Sequence, residues 1–321
     1  MSAARRTAAS PDFLADCVAT VWRWRDEGRF PHLASPLIEA RRLGDRLGCE
    51  LLVKAESMNA TGAFKERGAC AKLMSLTTSE RRAGVAAASA GNHAQGLALH
   101  AARQGIRAVI FMAETTPEVK VERTRALGAK VRLFGRSFDE AQAHAAASAQ
   151  AEGLTYVHPF DDPWVIAGQS TLGRELFEAR PDLDAVVAPV GGGGLLAGIS
   201  LAAEALGVSA ERHGVRLAKR RSALTPTLAD GMAVRDIGAV PSSLKSRLAS
   251  RWSGVDDTQI EAAMIAYMRD TGLVAEGAGA AALAALMAEP ERYAGKTVAV
   301  ILSGSNVDPA RYAKLFAASA A

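Results

Sequence analysis

Only three cysteines occur among the 321 residues, Cys17, Cys49 and Cys70, odd in number, widely spaced and in no metal-ligand pattern. Neither a disulfide framework nor a zinc site is indicated, and a reducing, cytosolic setting is expected. Long apolar runs are also missing. The Ala-rich stretch from Gly277 to Ala288 is too short and too weakly apolar to span a bilayer. At the start, Arg5 and Arg6 precede a segment broken by Pro11, Asp12 and Asp16, which lacks the apolar core of a signal peptide. No targeting or membrane-spanning segment is expected. Nor is charge of one sign gathered together: the net +4 arises from arginines interleaved with acids, as in Glu122-Arg123-Thr124-Arg125. The single tight basic cluster, Lys219-Arg220-Arg221, is expected to be a solvated loop, so a nucleic-acid partner is not supported.

What is present is apolar residue in quantity, 49% of the chain, enough to bury a large core in one big domain or two intimately packed ones. Helical spacing from Asp12 to Arg25 and again from Leu37 to Leu47 predicts two helices, and Glu50-Leu51-Leu52-Val53-Lys54 predicts a buried strand. Strands then alternate with helices. Gly84 to Ala88, Arg107 to Met112, Gly128 to Phe134, Leu154 to Val157, Ala185 to Val190 and Thr297 to Leu302 read as strands; a further one at Gly214 to Leu217 lies in the least legible region, Glu211 to Leu228. Helices are expected beyond Lys65, beyond Gly96, and at 117–127, 138–150, 166–179, 195–206, 256–271 and 277–287. This alternation is the signature of an α/β protein with parallel sheets wrapped by helices.

Three loops between strand and helix carry the chemistry. Ser57-Met58-Asn59-Ala60-Thr61-Gly62-Ala63-Phe64-Lys65 sets one lysine near a helix start, with Thr61 as the expected cap. Ser89-Ala90-Gly91-Asn92-His93-Ala94-Gln95-Gly96 is a second strand-turn-helix junction. Gly191, Gly192, Gly193 and Gly194 form a third, where backbone N–H groups can point into one concavity at the positive end of a helix. Neither the Gly-x-Gly-x-x-Gly spacing of a dinucleotide site nor the Gly-Lys-Ser/Thr of a P-loop is present, so a single phosphate on a smaller cofactor fits. A lysine, a phosphate cup, a second glycine turn and a serine at the mouth of the last strand together describe a pyridoxal 5'-phosphate site. Lys65 would hold the cofactor as a Schiff base, Gly191 to Gly194 its phosphate, Asn92 its ring hydroxyl and Ser303 its pyridine nitrogen.

The order of these pieces from about Leu51 to Asp308 resembles the threonine and serine dehydratases, in the pyridoxal phosphate superfamily typified by the tryptophan synthase β chain. Further matches are His158-Pro159-Phe160-Asp161-Asp162, Leu195 after the glycines, Thr227-Leu228-Ala229-Asp230-Gly231, Val274-Ala275-Glu276 and Ser303-Gly304-Ser305-Asn306. The resemblance implies a fold type II enzyme with two open parallel or mixed sheets flanked by helices: a large cofactor-binding domain at 1–77 and 156–321, and a small mobile domain at 78–155. It also implies that Lys65, once freed, is the general base at Cα, that Ser89, Ala90, Gly91, Asn92 and His93 line the substrate, and that the chain pairs as a homodimer.

A neutral Ser303 hydroxyl at the ring nitrogen leaves a weak electron sink, which favours prompt loss of a β-hydroxyl over transamination. Racemases of the family carry a serine where this chain has Ala90, which argues against racemisation. The expected activity is therefore dehydration and deamination of a small β-hydroxy amino acid, L-threonine or L-serine by default. The chain departs from the dehydratase pattern at Met58-Asn59-Ala60, Ala63, Gln169-Ser170 and Gly277, and over a shortened Glu211 to Thr227; the resemblance also implies a metal site near Asp230. No metal ligand set is assigned here. These departures, with Trp22-Arg23-Trp24-Arg25, keep two alternatives open: a threonine synthase-like or β-replacement enzyme, and a catalytically idle protein that holds the cofactor or a partner.

Overall fold

A computed structural model of the chain describes residues 10–31, 34–218 and 227–318. Among the described residues ten strands run in chain order: β1 Leu37–Glu39, β2 Glu50–Ala55, β3 Val85–Ala88, β4 Ala108–Met112, β5 Lys130–Leu133, β6 Thr155–Tyr156, β7 Ala185–Pro189, β8 Glu211–Leu217, β9 Arg251–Val255 and β10 Thr297–Leu302. They form two sheets, one of six strands in the order β1-β2-β10-β7-β8-β9 and one of four in the order β5-β4-β3-β6. The chain divides into two units, one of residues 1–33 and 65–171, the other of residues 34–64 and 172–321.

The unit of residues 34–64 and 172–321 holds the six-stranded sheet. It is parallel except at β1, which pairs antiparallel with β2 through Ile38 opposite Val53. Its central strands are buried on both faces, which is why β7 and β10 are continuous apolar runs rather than alternating ones. One face packs against the Ala-rich helix Gly277–Ala288, which joins Val187, Val298, Val300 and Leu302 in a single core.

In the other unit the four strands are all parallel, and their side chains alternate between two faces. Val85, Ala87, Ala108, Ile110 and Met112 point to a core shared with helices Lys65–Met74 and Asn92–Arg103, through Leu73, Ala94, Leu97 and Ala98. Ala86, Ala88, Val109 and Phe111 point the other way, to Ala145 and Ala149 of helix Phe138–Ala151. Gly168 sets the distance between the lysine-bearing helix and helix Pro163–Ala179. A Cβ there would sit 2.6 Å from the Gly68 Cα and 2.8 Å from the Arg67 carbonyl carbon, so the two backbones meet without a side chain between them. The N-terminal helix Pro11–Asp26 is fixed by Trp22, whose Nε1 donates to Ser170 Oγ at 2.9 Å, and by Trp24 stacked on Trp164.

Three sequence expectations need correction. Leu37 to Leu47 is not one helix: Leu37–Glu39 is a strand on β2 and only Arg41–Leu47 is helical, because the backbone of the first three residues is taken by the sheet. Thr61 does not occupy a cap position, since the helix opens four residues later, at Lys65 itself. The strand expected at Gly214 begins earlier, at Glu211, where it pairs with Ala185. An unexpected strand, β9, lies beside it. Lys219 to Arg221 lie outside the described residues.

Candidate active site

Ligands of open parallel sheets bind beyond the carboxyl ends of the strands, and three neighbouring strands of the six-stranded sheet end in the segments singled out from the sequence. β2 leads into residues 56–64, β10 into Ser303 to Asn306, and β7 into the four glycines. The first of these segments is clasped along its length. The Phe64 amide donates to the Ser303 carbonyl at 3.1 Å, the Ser305 amide to the Gly62 carbonyl at 2.9 Å, and the Asn306 side-chain amide to the Thr61 carbonyl at 2.7 Å. Ala63 and Gly304 form an isolated bridge. From its other side, Asn59 Nδ2 donates to the Glu56 carboxylate at 2.8 Å and to the Ala63 carbonyl at 3.3 Å. Glu56 is fully buried and also receives the Ser35 hydroxyl at 2.5 Å. A buried carboxylate satisfied in this way is costly to disturb, so residues 59–63 are held rigidly just ahead of Lys65.

Gly193 takes a left-handed conformation at φ +92° and caps helix Gly194–Leu206, with no side chain bonded to the helix start. A Cβ at Gly193 would meet Ile237 Cγ2 at 2.8 Å and Pro241 Cβ at 3.0 Å. Glycine is therefore required here both by backbone angle and by the close passage of residues 237–241. The first amides of the helix have no partner within it and suit an anion. Leu195 is buried behind them. Ser303 is 3% exposed, its hydroxyl 3.4 Å from the Ala278 carbonyl.

In the other unit, β3 and β6 are neighbours and end in Ser89 to Gly91 and in Val157 to Asp162. Lys65, the first residue of its helix, donates from Nζ to the Pro159 carbonyl at 2.8 Å and lies 6.0 Å from the centre of the Phe160 ring. The Gly91 amide donates to the Ser89 hydroxyl at 3.2 Å, and helix Asn92–Arg103 starts at Asn92 without a side-chain cap. Ala90 is half-buried and offers no hydroxyl. His93 is 3% exposed, its Nε2 3.1 Å from the Val157 carbonyl. Burial first, and the nearby Lys65 charge second, push its pKa down to about 3, so the imidazole is neutral at ordinary pH.

Lys65, His93 and the 157–160 segment thus meet within one unit; Gly191 to Leu195 and Ser303 lie at adjacent strand ends of the other. Sequence inspection misses Glu56, Ser305 and Asn306 as the clasp of the lysine loop. The Asn306 contact with Thr61 spans 245 positions, and no local pattern signals it. Among the described residues no group of three or more His, Cys, Asp or Glu is placed to hold a metal ion, and no helix is long and apolar enough to cross a membrane.

Residues 30–304 match the family described as pyridoxal-phosphate dependent enzymes. An L-threonine ammonia-lyase of Thermotoga maritima is 41% identical over 83% of this chain and 69% of its own length. Among solved structures, threonine deaminase isoform 2 of Solanum lycopersicum superposes with a TM-score of 0.88 at 34% identity, covering 97% of this chain and 89% of that one. Maize serine racemase superposes with a TM-score of 0.85 at 25% identity, covering 95% and 97%.

Proposed function

Because the chain belongs to the family of pyridoxal-phosphate-dependent enzymes, we propose that it removes the β-hydroxyl and the amino group from a small β-hydroxy amino acid, L-threonine or L-serine by default. The products are a 2-oxo acid and ammonia. Water leaves from Cα and Cβ, and one water returns when the resulting enamine is hydrolysed, so the net change is the release of ammonia.

The observation that carries this reading is Lys65 at the first position of its helix, with its amine donating an N–H to the neutral Pro159 carbonyl. A bond to the Pro159 carbonyl orients the amine, which in its neutral form would take a proton from Cα. Within the unit of residues 34–64 and 172–321, the uncapped amides of Gly194–Leu206 would suit the cofactor's phosphate and the buried neutral hydroxyl of Ser303 its ring nitrogen; from the other unit, Asn92 would serve its ring hydroxyl and Lys65 its aldehyde. When bound, the cofactor withdraws electrons from the substrate Cα, a chemistry that no side chain supplies. Ser89 and the helix start at Asn92 would orient the substrate carboxylate through the Ser89 hydroxyl, which accepts the Gly91 amide and can still donate its own proton, and through the amides of residues 90, 92 and 93. Ala90 carries no proton for the opposite face of Cα, which favours elimination over racemisation.

Visible absorbance and an amino-acid panel test this. The purified protein is expected to be yellow, to lose that colour in Lys65→Ala, and to release ammonia and a 2-oxo acid from L-threonine or L-serine alone. A colourless wild type after addition of cofactor overturns the proposal. So does a yellow protein that releases neither product from the panel, the outcome expected of an idle protein or of an enzyme needing a phosphorylated or acylated substrate.

We further read the protein as a cytosolic homodimer. The three scattered thiols, all buried and free, support a reducing compartment. Light scattering on the eluting protein tests the dimer, and a mass near 33.5 kDa in solution would refute it.

A further inference from the structure

The segment after β6 is organised by one ring. His158 Nδ1 accepts the Asp161 amide at 2.8 Å and the Phe160 amide at 3.4 Å, closing a turn on itself. The imidazole also meets the Phe160 ring edge-on at 4.6 Å, and is half-buried. Beyond the turn, Asp162 Oδ1 accepts the amides of Trp164 and Val165 and starts the next helix, while its carboxylate pairs with Lys72 at 2.7 Å. Before it, the Val157 carbonyl is tied to His93. Between these two anchors His158 braces the backbone from within, and that stretch contains the Pro159 carbonyl to which Lys65 Nζ donates and the Phe160 ring beside it.

We propose that His158 is a positioning residue: by accepting two backbone amides on Nδ1 it fixes the 158–161 turn so that the Pro159 carbonyl orients the Lys65 amine. An acceptor of amide N–H bonds cannot carry the proton on the same nitrogen, so the ring must be the Nε2–H tautomer. Burial holds its pKa below the usual imidazole range against the pull of Asp161, consistent with a neutral ring that keeps Nδ1 free to accept. The charged and titratable groups around it are Lys65, Asp161 and Asp162, with His93 on the adjoining helix. The side-chain carbonyl of asparagine can make the same bond to amides two and three residues on, as it does in Asx-turns. Alanine cannot.

This inference rests on Lys65 being the amine that takes the cofactor, and the experiment separates the two. Full-length protein freed of cofactor is mixed with pyridoxal 5'-phosphate, and capture by Lys65 is followed by visible absorbance and by borohydride trapping with peptide mass spectrometry. His158→Ala is expected to capture roughly three- to tenfold more slowly, the scale set by loss of one or two hydrogen bonds. His158→Asn is expected to remain within about twofold of wild type, since it retains the acceptor. Capture by His158→Ala at the wild-type rate overturns the positioning role, as does equal slowing in both variants. If His158→Ala does not fold, nitrogen-15 NMR of histidine-labelled wild type decides: an unprotonated Nδ1 is expected, and a protonated one overturns the proposal. Should Lys65→Ala still acquire the colour, the underlying reading of Lys65 fails instead.

Discussion

Lys54 on β2 and Glu175 on helix Pro163–Ala179 form an ion pair of 2.7 Å with both side chains almost wholly buried, and the same ammonium donates to the Ser35 carbonyl at 2.7 Å. Ser35 in turn donates to Glu56, so this pair underlies the brace of the lysine loop. Removing one member of a buried pair takes away the nearest compensation of the charge that stays. Lys54→Met is expected to lower stability by about 3–5 kcal/mol, and Lys54→Met with Glu175→Leu by clearly less. Urea denaturation of the two variants checks this, and a double variant no more stable than the single one contradicts it.

Gly168→Ala places a methyl group where the backbones of Arg67 and Gly68 now pass. Overpacking of this kind is worth about 1–3 kcal/mol. The expected outcome is a lowered melting temperature together with weaker retention of the cofactor, because the helix that must move carries Lys65. Gly153→Ala, at a positive-φ turn with open space around it, serves as the comparison and is expected to cost only the backbone term of about 1 kcal/mol. Equal thermal shifts in both would argue against the close approach.

Two buried histidines give stability a pH dependence of known sign. His93 is pushed down to about 3 and His213 to about 4, each mainly by burial. Between those values and the ordinary imidazole value of about 6.5 the unfolded chain binds protons that the folded chain refuses, so stability falls as pH falls through that window. The limiting slope is about 1.4 kcal/mol per pH unit for each group. His93→Gln, which can still donate to the Val157 carbonyl, is expected to flatten the dependence between about pH 4 and 6. Denaturation curves across that range read it directly, and an unchanged slope refutes it.

The thiols are expected to be inert in the folded protein. Burial, aided by the charge of Asp162 for Cys17 and of Glu66 for Cys70, pushes both up to about 12, and burial raises Cys49 as well. Alkylation by iodoacetamide at pH 8, counted by mass spectrometry, is expected to reach none of the three before denaturant is added. Rapid single labelling would show that one of these sites opens.

What is legible in the sequence is the alternation and the residues whose neighbours explain them. β10 is readable over Thr297 to Leu302 and the Ala-rich helix to within a residue, because both are uniform apolar runs with clear ends. β9 is hidden, since Trp252 and Gly254 are exposed and its Arg251 and Ser253 are polar, which leaves no apolar pattern to see. The short helix Thr78–Ala83 does carry a local signal, the capping box of Thr77 and Glu80, though its few residues show no apolar period. At the site, Lys65 can be singled out through companions far along the chain. Its supports cannot: Asn59 with Glu56 is local but has no signature, and Asn306 with Thr61 is distant.

The helix Gly277–Ala288 lies on the sheet with mostly methyl groups or hydrogens facing its surroundings, and a Cβ at Gly279 would strike the Gly304 carbonyl beside Ser303. Such a helix behaves as a shim, setting the spacing of sheet and strand ends near the least distance that backbones allow. A deep mutational library of this chain should therefore show a silent stretch at 278–285, with almost every enlargement lost. Equally dense changes on the exposed side of 118–126 should survive, so the region most monotonous in letters becomes the one least free to drift.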